Sequence, residues 1–434
     1  MHVLSGNTLA TIAQGLQFFL LARALGPNEF GQIGTASAVV VLLLPYSGMG
    51  AANVMIMRAT RDASVLPLYL GNALMVMVAT GALLTGFSAL VVAPLVGSGF
   101  DPWFMLVFGA SELLAGKIVD ICWQVFVARD EMKQVSVVFA VQSVSRLLMA
   151  VLYAVISAHP NARGWGYCAF ACNLAVGLGI LYWTRSVVGA LRFNAGLALR
   201  ELKPGSAFAV GLSAKGFYTD ADKVFLARFT DPATVATYTM AYRVVSVALV
   251  PARALSFSLT AQMFRAGETG VNGALSMTRR LFAPTLALGL VLAVGCYITA
   301  PLLPLIGGEK YASSIEILRI LALLPVVVSM QSLLADTLSS SGYQRAAAVC
   351  QLIAGIAISG MSIALIPALG WRGAGFASYA SQVLLSILLG VVIWRVSRRE
   401  LQTPTTSAPI VRETEERAAP PAALLSETTQ SVAE

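Results

Sequence analysis

Between residues 5 and 396 the sequence is a succession of about twelve apolar runs, parted by short breaks of Gly, Pro and charge. A run of about 20 apolar residues is long enough to cross a bilayer as a helix. Only helices and closed barrels can do so, because lipid offers the backbone no hydrogen-bond partner. The runs predict spans at 5–25, 31–57, 66–96, 102–128, 133–158 and 164–187. They continue at 205–229, 232–262, 280–306, 313–340, 345–368 and 373–396. Only 12% of the residues are charged and 57% are hydrophobic, against about 25% charged in soluble domains. An all-α integral membrane protein is expected, and the short connections leave no room for a folded soluble domain. No basic leader or cleavage site precedes the first run, so that span is expected to be kept as a signal anchor.

Orientation follows from the basic residues near the span ends. The even-numbered connections and the end of the last span carry Arg58, Arg61, Arg129, Lys133, Arg185, Arg192, Arg200, Lys203, Arg265, Arg279, Arg280, Arg345, Arg395, Arg398 and Arg399. The odd-numbered ones carry Arg23, Arg163, Arg228, Lys310 and Arg372. This roughly threefold bias predicts two cytoplasmic termini. It also accounts for the net charge of +8 without a nucleic-acid partner. Residues 400–434, rich in Thr, Pro, Glu and Ala, cannot bury a core and are expected to form a disordered cytoplasmic tail.

The chain repeats itself. Leu21-Ala22-Arg23 and Pro27 answer Leu226-Ala227-Arg228 and Pro232, Met57-Arg58-Ala59 answers Phe264-Arg265-Ala266, and RGWGYCAFACN from Arg163 answers RGAGFASYASQ from Arg372. Each half holds an even number of spans, so both lie the same way up. Two six-helix halves, 1–190 and 205–399 around a 191–204 linker, are expected to be related by a pseudo-twofold axis along the membrane normal, with a site between them.

Charge inside the runs marks candidate positions, since one at mid-bilayer costs roughly 2.5–3.5 kcal/mol. At helical spacing the polar residues form stripes: Asn7, Thr11 and Gln14 in span one; Gln142, Arg146 and Tyr153 in span five; Lys215, Thr219 and Asp222 in span seven; Tyr238, Tyr242, Ser246 and Arg253 in span eight. Such stripes line a water-filled cavity or hold helices together; those bearing Arg or Lys favour the cavity. Lys117 and Asp120, three residues apart, form either a structural pair or a site bearing a working lysine; Glu316 and Arg319 are spaced as a structural pair. Lys117, Arg146, Lys215 and Arg253 are suited to phosphate or pyrophosphate oxygens. Tyr153, Tyr218, Tyr238 and Tyr242 offer rings that stack on sugars while donating a hydrogen bond. Asp220 and Asp222 are the candidates for proton or sodium coupling, or are neutralised by Lys223 or Lys215. The five cysteines lie in apolar runs, and no metal or cofactor is expected.

The order of spans, the opening Asn7 and Phe18-Phe19-Leu20-Leu21-Ala22-Arg23-Ala24-Leu25-Gly26-Pro27-Asn28-Glu29-Phe30-Gly31, and the later Asp222, Tyr238 and Ala241-Tyr242-Arg243 resemble the Wzx-type polysaccharide flippases. These belong to the multidrug/oligosaccharidyl-lipid/polysaccharide (MOP) superfamily, whose multidrug branch is MATE-like, and the resemblance covers roughly residues 1–400. It implies export of undecaprenyl-pyrophosphate-linked oligosaccharide repeat units across a bacterial inner membrane for O-antigen, capsule or exopolysaccharide. It also implies membrane lipid, a polysaccharide polymerase and chain-length machinery as partners. A cationic cavity would be served here by Lys117, Arg146, Lys215 and Arg253.

Other functions remain open on the residues themselves. A multidrug exporter of the same superfamily would favour an acidic cavity. A membrane glycosyltransferase or polysaccharide polymerase would need a paired carboxylate motif and a sizeable external loop, and the loops here are short. A purely structural partner of a polymerase would tolerate neutralisation of the buried charges.

Overall fold

The computed structural model describes residues 2–97 and 100–402, apart from the side chains of residues 2–8, 214, 215, 257, 261 and 401. Nine helices among the described residues are long and apolar enough to cross a membrane. The first of these holds two spans, because helical residues 2–43 are interrupted at Gly26 (φ 74°, ψ 171°). That conformation is open to glycine and strained for other residues, so it divides α1 (2–25) from α2 (27–59). Residues 102–128 and Ala195–Phe229 are equally helical but carry charge inside them. With these the count reaches twelve.

The remaining helices are α3 (Ala63–Val96), α4 (102–128), α5 (Met132–Ile156), α6 (Ala162–Val188), α7 (Ala195–Phe229) and α8 (232–267). They are followed by α9 (Val271–Gly307), α10 (Ser314–Ser340), α11 (Gln344–Leu369) and α12 (Trp371–Gln402). Their starts are written in the sequence: Asp101 and Asp231 cap the N-termini of α4 and α8 through their carboxylates, each with proline at the first helical position. Asn161 and Asn194 cap α6 and α7. Two expected boundaries move. α7 begins at Ala195, so most of the supposed linker is its first turns, and α9 begins at Val271 instead of residue 280. The expected tail falls almost wholly outside the described residues.

Two spans are less regular than the apolar pattern predicts. α2 breaks at 44–50, where Gly48 (φ 84°), Met49 (φ 46°) and Gly50 (φ 68°) succeed one another in the left-handed region. A Cβ on Gly50 would lie 2.2 Å from the Gly205 carbonyl oxygen of α7, so glycine is needed for both space and conformation. Ser47 Oγ donates to the Leu113 carbonyl at 2.6 Å and Gly48 N–H to Thr80 Oγ1 at 2.8 Å, which pins the break. The Leu113 carbonyl lies in a π-helical stretch of α4, Ser111–Gly116. α8 kinks at the matching place, Leu249–Pro251, but continues as helix; Pro45 and Pro251 occupy corresponding positions of the repeat.

The central seam is made by α1 and α2 against α7 and α8. The largest hydrophobic cluster crosses it at the end bearing the odd-numbered connections, where Leu21, Ala22, Phe30, Tyr238 and Tyr311 are buried together. Tyr311, in the α9–α10 connection, donates its hydroxyl to the Ala22 carbonyl at 3.0 Å and packs its ring edge-on to Phe30. A Cβ on Gly31 would meet the Pro232 backbone, so the two halves touch main chain to main chain there. Towards the other end the apolar residues form separate clusters, one around Met55, Leu70 and Met77 and another around Leu338, Leu385 and Leu389. The halves are thus fused at the odd end and part towards the even end, where the first turns of α7 form a bridge: Glu201 receives Arg58 at 3.0 Å and the Tyr69 hydroxyl at 3.1 Å.

Candidate functional site

Where the halves part, a cavity of about 580 Å³ opens between α1, α2 and α5 on one side and α7 and α8 on the other. Its lining includes four cations, Arg146, Lys223, Arg243 and Arg253, and one carboxylate, Asp220.

The cations differ in what already holds them. Arg146 is clamped by Glu112, Nη1 to Oε2 at 3.2 Å and Nη2 to Oε1 at 2.9 Å. The π-helical stretch carrying Glu112 is secured by Asn173, whose amide donates to the Ser111 carbonyl at 3.1 Å and Ser111 Oγ at 3.0 Å. Lys223 is more enclosed. Its Nζ lies 2.5 Å from Asp220 Oδ1 and 3.8 Å from Asp222 Oδ1, donates to the Thr219 carbonyl at 3.1 Å, and stands 3.6 Å from the centroid of the Tyr242 ring. Asp222 is fully buried; its Oδ2 accepts from Tyr238 of α8 at 2.7 Å and from Ser378 of α12 at 2.8 Å. This one carboxylate therefore joins three helices of the C-terminal half. A buried charge needs that many partners, since burial without them is prohibitive.

Arg243 and Arg253 are different. Neither has a carboxylate within 4.0 Å among the described residues. The Arg243 guanidinium lies 5.4 Å from the Phe18 ring centroid across the seam, and its Nε is buried without a hydrogen-bond partner. Arg253 follows the α8 kink and also lines a second chamber of about 370 Å³ between α8, α9 and α10. Two guanidiniums with no carboxylate within 4.0 Å among the described residues thus stand beside two cations that are paired, and Asp336 shares the second chamber with Arg253.

Of the residues singled out in the sequence, Gln14, Gln142, Arg146, Thr219, Asp220, Tyr242, Ser246 and Arg253 line this cavity. Asp222 and Tyr238 stand behind it in the buried network. Lys117 is not among the lining residues; it pairs with Asp120 at 3.3 Å on α4. The α7 backbone carries Lys215 one turn from Thr219, but its side chain lies outside the described residues. Tyr153 bonds the main chain of Asn161 in the α5–α6 connection. The expected Glu316–Arg319 pair is replaced: Glu316 takes Arg372 at 2.6 Å, and Arg319 lies over Tyr297. Sequence spacing underrated Arg243 and Lys223: among the described residues the lining takes 219, 220 and 223 from α7 and 239, 242, 243, 246 and 253 from α8. The stripes read along the sequence share Thr219, Tyr242, Ser246 and Arg253 with it but run on through Asp222 and Tyr238, which lie behind the lining.

The family profile described as "Polysaccharide biosynthesis protein" matches residues 2–261. A search of curated protein sequences finds no match. Among solved structures, the chain is similar to a multidrug resistance MATE family transporter of the MOP superfamily in an inward-facing conformation, with a TM-score of 0.73 at 12% identity over 91% of this chain and 99% of that one. For the outward-facing conformation of a transporter so described the TM-score is 0.62 at 16% identity, covering 93% and 94%. It is also similar to a MOP superfamily transporter from Pyrococcus furiosus described as having a binding pocket of reverse polarity, with a TM-score of 0.61 at 15% identity, covering 93% and 94%. At such identities the likeness is one of fold. The chain belongs to the polysaccharide biosynthesis protein family and is a multi-pass membrane protein with the fold of the MOP-superfamily transporters.

Proposed function

We propose that this protein is a flippase that moves a polyprenyl-pyrophosphate-linked oligosaccharide across the bacterial inner membrane by alternating access, with no chemical step. One observation carries the reading: among the described residues, no carboxylate lies within 4.0 Å of Arg243 or Arg253 in the interface cavity. Guanidinium forks match phosphate oxygens in pairs. A cationic drug would meet like charge at the same place, which speaks against multidrug export by this chain.

The even end, richer in Lys and Arg, is cytoplasmic in this reading, as are both termini. The headgroup enters there, the polyprenyl chain stays in lipid, and the odd end opens once the seam around Tyr311 releases. Binding can drive that change only by favouring one state over the other. Consumption of the product by a polysaccharide polymerase and its chain-length machinery supplies direction. Asp220, Asp222 and Lys223 together carry one net negative charge when ionised, so a proton or sodium ion would complete the balance and provide coupling. No cofactor is needed.

The test is replacement of the chromosomal copy by Arg243→Gln or Arg253→Gln. Both variants should reach the membrane at normal levels while lipid-linked repeat units accumulate on the cytoplasmic side and surface polysaccharide falls at least tenfold. Normal surface polysaccharide in both would sink the reading. Transport by proteoliposomes bearing Asp222→Asn, if still stimulated by an imposed proton or sodium gradient, would remove the coupling role.

A further inference from the structure

The two walls of the cavity are chemically unlike. On the C-terminal side Arg243 and Arg253, together with the lysine held by two aspartates, stand among the hydroxyls of Thr239, Tyr242 and Ser246, so this is the wall that carries guanidiniums with no carboxylate within 4.0 Å among the described residues. Guanidinium groups donate and cannot accept. On the N-terminal side Gln14, Gln17, Ser37, Gln142 and Ser143 face the same space. Their amides and hydroxyls both donate and accept. The charge on that wall, Arg146, has both terminal nitrogens on Glu112, so the wall is close to neutral. Gln14 already donates to Ser143 at 3.2 Å, linking α1 to α5. Phe18 marks the boundary, projecting from α1 to the face of Arg243.

We infer that the cavity divides its ligand between these walls: the C-terminal half binds the anionic link, and the N-terminal half reads an uncharged sugar through Gln14, Gln17 and Gln142. A pyrophosphate has acceptors only, and it gains nothing from an amide that a guanidinium does not supply better. A neutral sugar offers hydroxyls that donate and accept, which suits a wall of amides and hydroxyls, and its apolar face suits the Phe18 ring. A hexuronate on the same wall would find its cation already engaged by Glu112. The cavity volume is that of a site enclosing a ligand of drug size, about 300–1,000 Å³, so an anionic link and the sugar next to it fill the closed end together.

This inference rests on the flippase reading, and the experiment separates the two. The purified full chain in nanodiscs is titrated, by native mass spectrometry, with undecaprenyl pyrophosphate and with undecaprenyl-pyrophosphoryl-N-acetylglucosamine. The wild type should bind the sugar-bearing lipid at least fivefold more tightly. Gln14→Ala combined with Gln142→Ala should erase that preference while changing the affinity for the bare lipid less than twofold. Arg243→Gln should weaken both lipids at least tenfold. If the wild type shows no preference, or if the glutamine variant weakens both lipids alike while melting at the wild-type temperature, the division between walls is wrong. Gln14→Asn with Gln142→Asn, keeping the amides, should restore part of the preference, and its failure to do so while folded would also overturn it. If Arg243→Gln and Arg253→Gln leave both affinities unchanged, the flippase reading falls with it.

Discussion

The helix pairs α1–α2 and α7–α8 occupy the same place in the repeat, yet only α7–α8 lines the cavity with charge. At the repeat offset Gln17 corresponds to Asp222, Phe18 to Lys223 and Ala38 to Arg243. Gln17 and Asp222 are both buried, one as an amide and the other as a carboxylate tied to Tyr238 and Ser378. Phe18 reaches across to stack on Arg243, while Lys223 is closed in by two aspartates and a tyrosine. A scaffold that folds with an amide and a phenyl ring at these positions does not need an ion pair there. The charges of the C-terminal pair are therefore better explained by what the cavity receives than by what the fold requires. The N-terminal pair spends its irregularity on backbone instead, with three successive left-handed residues where α8 has a simple kink.

This contrast can be broken in several places. The largest effect is expected from Asp222→Leu, which leaves Lys223 to Asp220 alone and empties the Tyr238 and Ser378 hydrogen bonds. Leaving buried polar groups unsatisfied costs about 1–3 kcal/mol each, so the melting temperature in detergent should fall steeply, whereas Gln17→Leu at the matched position should cost under about 1.5 kcal/mol. Equal losses would mean that the two sites carry the same structural load. Next comes Gly50→Ala. A left-handed conformation costs a side chain about 1–2 kcal/mol, and the Gly205 carbonyl leaves no room for a Cβ; Pro251→Ala in α8 should be close to neutral by the same assay.

Smaller effects fall on the seam. Tyr311→Phe removes one interhelical hydrogen bond, for which about 0.6–1.7 kcal/mol is the measured scale. That is enough to shift a balance between the two open states by roughly threefold to eighteenfold, readable as distance distributions between spin labels on the odd-end connections. The smallest effect is expected at Lys117→Gln, since Lys117 pairs with Asp120 away from the cavity. Flux of lipid-linked oligosaccharide should stay within about twofold of wild type, given how little a partly exposed pair contributes; a larger loss would give that pair a part in transport.

Much of the architecture was legible in the residues. Apolar runs located the spans, and Asp101-Pro102 and Asp231-Pro232 located helix starts. The rotation of each helix was not legible. In a soluble helix the apolar stripe marks the core, but lipid is as apolar as leucine, so α7 reads alike on both sides. That is why, among the described residues, Asp220 and Lys223 join Thr219 on its cavity edge while Asp222 stands behind it. Pairings across the chain were equally hidden: Glu112 meets Arg146 from 34 positions away, and only the π-helical stretch of α4 aims it there. The break in α2 was signalled by Gly48-Met49-Gly50, but glycine is frequent enough in membrane helices that the apolar run was read straight through it.

The buried seam at the odd end has a thermal consequence. Opening that end would bring Leu21, Phe30, Leu303 and Tyr311 into contact with water, and hydration of apolar surface raises heat capacity. The change between the two open states should therefore have an enthalpy that drifts with temperature. An Arrhenius plot of flux should curve wherever that step limits the rate, and substitutions that trim the seam, such as Leu303→Ala, should straighten it.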